Sequence, residues 1–250
     1  MQFAGFLWFI FMLLPLVFLQ RFLHREIQAV FMIITRNSQL TTGLFSVLFF
    51  PGVFLHELSH YLMAKILRVR TRGFSMFPHS LSDGRLQMGY VETEQTDIFR
   101  DSLIGLSPLI AGTIFVAYAG IEHMQVHTLW DVLRNGQMEL FWMGLGLLPF
   151  VQDFYLWFYL TFVISSAMMP SESDRHAWFP LGLWTAILLA LALLAGAGSW
   201  MLENLAPLLN DFFNSVALLL GLSNALHVVL LIPFFSLHRA LVYMMKVDVE

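Results

Sequence analysis

The chain has 250 residues, of which 58% are apolar and 12% charged, with a mean hydropathy of +0.72. Soluble domains carry roughly 25% charged residues, so this chain has too few polar groups to cover a water-soluble globule. Its 13 Lys and Arg against 17 Asp and Glu leave no general basic surface for nucleic acid, and the absence of cysteine excludes disulfides and thiolate metal sites. The composition predicts an all-α polytopic membrane protein forming a single membrane domain over residues 1–250.

A bilayer core about 30 Å thick needs roughly 20 mostly apolar residues per helical crossing. On that ruler six spans are expected, at 3–20 (stopping at Arg21), 42–67, 102–121, 153–169, 180–200 and 211–235. The apolar stretch 29–35 is too short to cross, and 138–151 reads as an interfacial or re-entrant segment. The first span lacks a basic n-region and a small-residue cleavage site, which predicts a retained helix rather than a signal peptide. The largest basic cluster, Lys65, Arg68, Arg70, Arg72, Arg85 and Arg100, follows the second span. Placing that loop in the cytoplasm puts Arg175, Arg239 and Lys246 on the same side, leaves Arg21, Arg25, Arg36 and Arg134 outside, and makes both termini cytoplasmic.

Residues 70–77 and 85–93 are rich in Val, Thr, Phe, Met and Tyr, and Ser82-Asp83-Gly84 between them supplies a hairpin turn signal. A small β-hairpin at the membrane surface, at about 70–93, is therefore expected just after the second span.

The second span contains the sequence FFPGVFLHELSHYLMAKIL. His56 and His60 are four residues apart, which on a helix places two imidazoles about 40° apart in azimuth and one turn apart in height. Glu57 stands beside them, in reach of the same point without being a ligand. Two neutral nitrogens on a zinc ion and a carboxylate to take a proton from water form a metallohydrolase arrangement. With 9 His in the whole chain, an H-E-x-x-H pattern arises by chance about once in a hundred such chains. Its position in an apolar helix, where a central charge costs roughly 2.5 kcal/mol or more, ties it further to function. Pro51 and Gly52, a turn before His56, either loosen the helix or are ordinary membrane-helix residues.

A catalytic zinc normally takes a third protein ligand and keeps its fourth position open. In the expected topology the fourth span ends on the same side as His60, at SSAMMPSESDRHAW. Asp174 is the candidate third ligand, with Glu172 and His176 beside it as alternatives. Asp153 begins that span about 30 Å away by helical rise and reads as an interfacial cap. His227, with Asn224 one turn earlier in the sixth span, reads as interhelical glue.

An intramembrane HExxH, a surface hairpin after it and a distal aspartate resemble the site-2 protease family of intramembrane zinc metalloproteases. The resemblance covers residues 42–176, and 180–235 adds two C-terminal helices. It implies one zinc ion per chain on His56, His60 and Asp174, with Glu57 as general base and the hairpin presenting an extended substrate strand. The chain departs from the family pattern in two places. Asp174 is followed by Arg175 rather than glycine, and the third span, GLSPLIAG, matches the family's G-P-x-x-N helix through Ser107 and Pro108 without its asparagine.

The expected function is hydrolysis of peptide bonds within or near the transmembrane segment of a single-span or membrane-anchored protein. The expected partners are that substrate and the lipid bilayer, with no nucleic acid, and the expected location is a prokaryotic plasma membrane. The alternatives are a non-proteolytic zinc-binding membrane protein or metal carrier, and a scaffold in which neither zinc nor Glu57 matters.

Overall fold

A computed structural model describes residues 3–75, 79–80, 86–87 and 89–246. It is helical almost throughout, with α1 (Ala4–Thr35), α2 (Ser38–Ile66), α3 (Ile98–Tyr118), α4 (Val126–Arg134), α5 (Met138–Leu147), α6 (Phe154–Ala167), α7 (Trp178–Leu194), the single turn α8 (Gly198–Trp200) and α9 (Ala206–Met245). Among the described residues, four helical stretches are long and apolar enough to cross a membrane: α1, α2, 98–123 and 198–245. A fifth is formed if 138–150 and α6, bent by 98° at the break between them, make one span.

Arg21 and Arg25 do not end α1, which continues through 29–35 to Thr35. Arg and Glu are good helix formers, and hydropathy marks where a helix leaves lipid rather than where it stops. Arg36 then takes a left-handed conformation, and Asn37 caps α2 by accepting from the amides of Gln39 and Leu40 at 2.9 and 3.2 Å. This two-residue link forces α1 and α2 into an antiparallel pair.

The expected surface hairpin falls on two antiparallel strand pairs between α2 and α3. The pair β1 (Thr71–Ser75) with β4 (Tyr90–Thr93) has Phe74 opposite Val91 and Ser75 opposite Tyr90. A second, shorter pair joins β2 (His79–Ser80) to β3 (Leu86–Gln87). The expected turn at 82–84 lies outside the described residues.

The helix directions follow from side-chain rungs. The α2 and α6 helices are parallel and in constant register: the Tyr159 hydroxyl donates to Leu48 O at 2.7 Å, Gly52 packs on the backbone of Val163, and His56 meets Ala167. Gly52 thus has a packing role, because a Cβ there would enter the Val163 carbonyl. The α1 and α9 helices are also parallel: Gly5 N–H donates to Asn210 Oδ1 at 2.7 Å, Asn224 Nδ2 donates to Met12 O at 2.8 Å, and Glu26 pairs with His238 at 2.6 Å.

This parallel pair corrects the expected orientation. Six crossings would make the first and last helices antiparallel and both ends cytoplasmic. Instead the start of α1 and the end of α9 lie at opposite ends of the bundle. Phe22 packs on Phe235 at 6.2 Å, with Arg25 over the first ring and Arg239 over the second, so these two cations share one level rather than opposite faces. An odd count, α1, α2, α3, α6 and α9 in alternating direction, satisfies the packing. The fifth expected span, 180–200, is instead the 17-residue α7, with no buried residue, followed by a break at 195–197.

Between these helices lies a core of Leu23, Ile27, Phe45, Phe49, Phe162, Val163 and Ile164. Each is less than a tenth exposed, and fully burying such a side chain is worth about 1.5–3 kcal/mol. This core fixes α2 against α6 about two to three turns before His56, so the site is built on helices already held in register.

Candidate metal centre

His56 and His60 project from the last third of α2, between α3 and α6. The Nδ1 of His56 lies 2.7 Å from Ala167 O, and the Nδ1 of His60 lies 2.8 Å from Ile104 O. A carbonyl only accepts, so each Nδ1 carries the proton and each Nε2 presents a lone pair. Those two Nε2 atoms stand 3.2 Å apart. Asp174 closes the triangle, with Oδ1 at 3.4 Å from His60 Nε2 and Oδ2 at 3.7 Å from His56 Nε2.

Two lone pairs and a carboxylate facing one point repel one another unless a cation or proton joins them. Ligand atoms at zinc-like bond lengths on a tetrahedron are about 3.3–3.4 Å apart. In His56, His60 and Asp174 one such atom per residue lies within 4.8 Å of the others, a grouping that could hold one metal ion. Among the described residues, these three are the group of acidic and His side chains so gathered.

Both carbonyls that orient the histidines are available for a local chemical reason. Ile104 O would ordinarily accept from the amide four residues on, but that residue is Pro108, which has no N–H. The freed carbonyl takes the His60 Nδ1–H and also the Ser107 hydroxyl at 2.7 Å. Ala167 is the last residue of α6, where carbonyls have no helical partner. The Ser-Pro pair of GLSPLIAG and the end of a short helix therefore supply the outer hydrogen bonds that metal-binding histidines require. Pro108→Ala returns an N–H to Ile104 O. If the group holds a metal, the variant is expected to bind it about tenfold more weakly, within the roughly 10–100-fold range of outer-shell changes, while its melting temperature stays level or rises. Chelator competition alongside thermal melts checks both; unchanged affinity removes Pro108 from the site.

Asp174 is held by a tight loop. Its Oδ2 accepts from Ser171 N–H at 2.7 Å and from Ser171 Oγ–H at 2.6 Å. Burial opposes its ionisation; the two Ser171 hydrogen bonds favour the carboxylate, as would a proton or cation shared with His56 and His60, and the carboxyl lies below its usual range. The loop backbone rests directly on α3 at Gly105, where a Cβ would enter the Asp174 carbonyl oxygen. Ser102 donates to Ala177 O at 3.3 Å and ties down the far end of the loop.

Of the alternative ligands, Glu172 is exposed and outside the gathered group. His176 uses both ring nitrogens elsewhere, Nδ1 with Ser173 O at 2.5 Å and Nε2 with Asp101 Oδ2 at 2.6 Å. The Ser173 hydrogen bond and the Asp101 charge raise its pKa, and its contact with Asp101 joins the loop to α3. Asp153 occupies the position before α6 in a left-handed conformation and makes no side-chain cap bond, so it does not serve as the expected cap.

Glu57 is half-buried, within electrostatic reach of His56, His60 and Asp174. The hairpin lies against it. A Cβ on Gly89 would stand 2.7 Å from Glu57 Cγ and 3.1 Å from Ser75 O, so only glycine lets the strands approach this closely. One turn on, Tyr61 stacks on Phe74 of β1 at 4.9 Å and 27°, with the Lys65 ammonium 5.3 Å from the Tyr61 ring. Glu57 and Tyr61, one turn apart on α2, therefore meet the hairpin, while the neighbouring face of α2 carries the histidines.

Pro108, Ala167, Ser171, Gly105 and Gly89 were not singled out as site residues by spacing along the chain. Their sequence signals, a Ser-Pro inside an apolar helix and isolated glycines, acquire meaning only from the partners packed on them. No family model matches the chain, and neither the curated proteins nor the solved structures include one with significant similarity to it.

Proposed function

We propose that the protein is a zinc-dependent intramembrane endopeptidase of the site-2 protease type, cleaving a single-span or membrane-anchored protein within or near its transmembrane segment. The observation that carries this reading is the convergence of two Nε2 lone pairs and the Asp174 carboxylate beside Glu57, with a strand pair packed on that same glutamate.

His56, His60 and Asp174 would hold the metal. A zinc ion there supplies Lewis acidity, polarising the scissile carbonyl and lowering the pKa of water to about 7. Glu57 takes a proton from the attacking water and delivers it to the leaving amine as the C–N bond breaks and a C–O bond forms. A transmembrane helix resists this attack because its carbonyls are bonded internally, so the substrate must unwind. An outer edge of the β1–β4 pair offers main-chain partners for the unwound segment, and Gly89 sets that pair directly over Glu57.

The test is cleavage of a single-span reporter by the purified protein in lipid vesicles. One zinc ion per chain should co-purify, chelation should abolish cleavage, and zinc should restore it, with the cut mapped to the reporter's span. A chain that binds zinc but cleaves no membrane-embedded reporter would favour the metal-carrier alternative. A chain that binds no zinc would end both readings.

A further inference from the structure

His227, on α9, lies outside the metal cluster and outside the 42–176 segment. We propose that it is a positioning residue for the metal site, fixing the end of α6 whose terminal carbonyl orients His56. The inference rests on the reading of that site as a zinc site.

His227 and Ser223 are fully buried and Ser166 is 2% exposed, so their polar atoms must satisfy one another. His227 Nδ1 is 2.7 Å from Ser223 O, which fixes the proton on Nδ1 and leaves Nε2 as an acceptor. The Ser166 hydroxyl donates to that Nε2 at 2.8 Å. Ser166 immediately precedes Ala167, whose carbonyl receives the His56 Nδ1–H. The last turn of α6 has no further helix to hold its carbonyls, so tertiary contacts set its position. On one side Gly112 of α3 packs against Met168; on the other stands His227. One turn earlier on α9, Asn224 donates to Met12 O, so α9 is anchored on α1 while it reaches α6.

Ordinary interhelical glue would affect folding stability alone; a positioning residue must also alter metal affinity through Ser166. The experiment measures zinc affinity of the full chain in detergent by chelator competition, with a thermal melt for each variant. His227→Leu and Ser166→Ala are each expected to weaken zinc binding by about tenfold, in the range of outer-shell partners. The double variant should be no weaker than the worse single one, because both remove the same link. His227→Gln, which retains an acceptor for the Ser166 hydroxyl, should recover part of the loss. Ser166→Ala removes one oxygen and must show the effect even if His227→Leu does not fold. Lowered melting temperatures with unchanged zinc affinity would overturn the proposal, as would losses that multiply in the double variant. Wild-type protein that binds no zinc would overturn the functional reading and this inference together.

Discussion

Glu57→Gln is expected to lower reporter cleavage by about 10²–10⁴-fold, the usual contribution of a positioned general base, while zinc content stays at the wild-type level. Gln keeps the volume and one acceptor oxygen of Glu but cannot take a proton from water. Nothing else about the site should move, because Glu57 is not among the three gathered ligands and its Cγ contact with the hairpin at Gly89 is preserved by the isostere. The measurement is turnover at saturating zinc together with metal content by mass spectrometry. Full cleavage by a zinc-loaded Glu57→Gln protein would remove Glu57 from the chemistry. Loss of zinc with loss of cleavage would instead make Glu57 part of the metal's environment.

The HExxH pattern was legible in the sequence because its parts share one helix, and 3.6-residue periodicity alone brings His56 and His60 to one face. Asp174 was legible only as an acid near a span end. Its selection over Glu172 and His176 in the structure depends on Ser171 holding the carboxylate and Asp101 drawing His176 away, and chain spacing does not encode these contacts. The same holds for Ile104 O and Ala167 O, which meet histidines 44 and 111 residues distant. Pro108 is a partial exception. A proline inside a helix always frees a carbonyl four residues back, so a search for freed carbonyls would have found Ile104, though not its partner.

The number of crossings was the least legible feature. Hydropathy counts apolar stretches but not their direction, and 138–167 contains a 98° bend that no composition window detects. Packing between α1 and α9 supplies the missing parity, because helices that run parallel and side by side must be separated by an even number of reversals. The buried Glu26–His238 pair is one rung of that contact. What hydropathy took for the end of a span at Arg21 is thus the start of a polar stretch in a longer helix.

Asp174→Ala and Gly105→Ala form the second large expectation. Removing the aspartate deletes one of the three proposed ligands and should weaken zinc binding by more than about 100-fold, beyond the range of outer-shell changes. Gly105→Ala leaves every ligand in place yet should cost about 10–100-fold by the same scale. Its Cβ would enter the Asp174 carbonyl oxygen and stand 2.9 Å from the carbonyl carbon, and backbone atoms cannot rotate aside as a side chain can. The loop must lift, and the carboxylate lifts with it from His60 Nε2. Gly43→Ala is the matched control: nothing lies within 4 Å of its added methyl, and it should leave affinity unchanged. Chelator competition on the four proteins, wild type included, decides the matter. Wild-type affinity in Gly105→Ala would show that the loop's seat on α3 does not position the ligand, and zinc retained by Asp174→Ala but lost on replacing Glu172 or His176 would move the third ligand there.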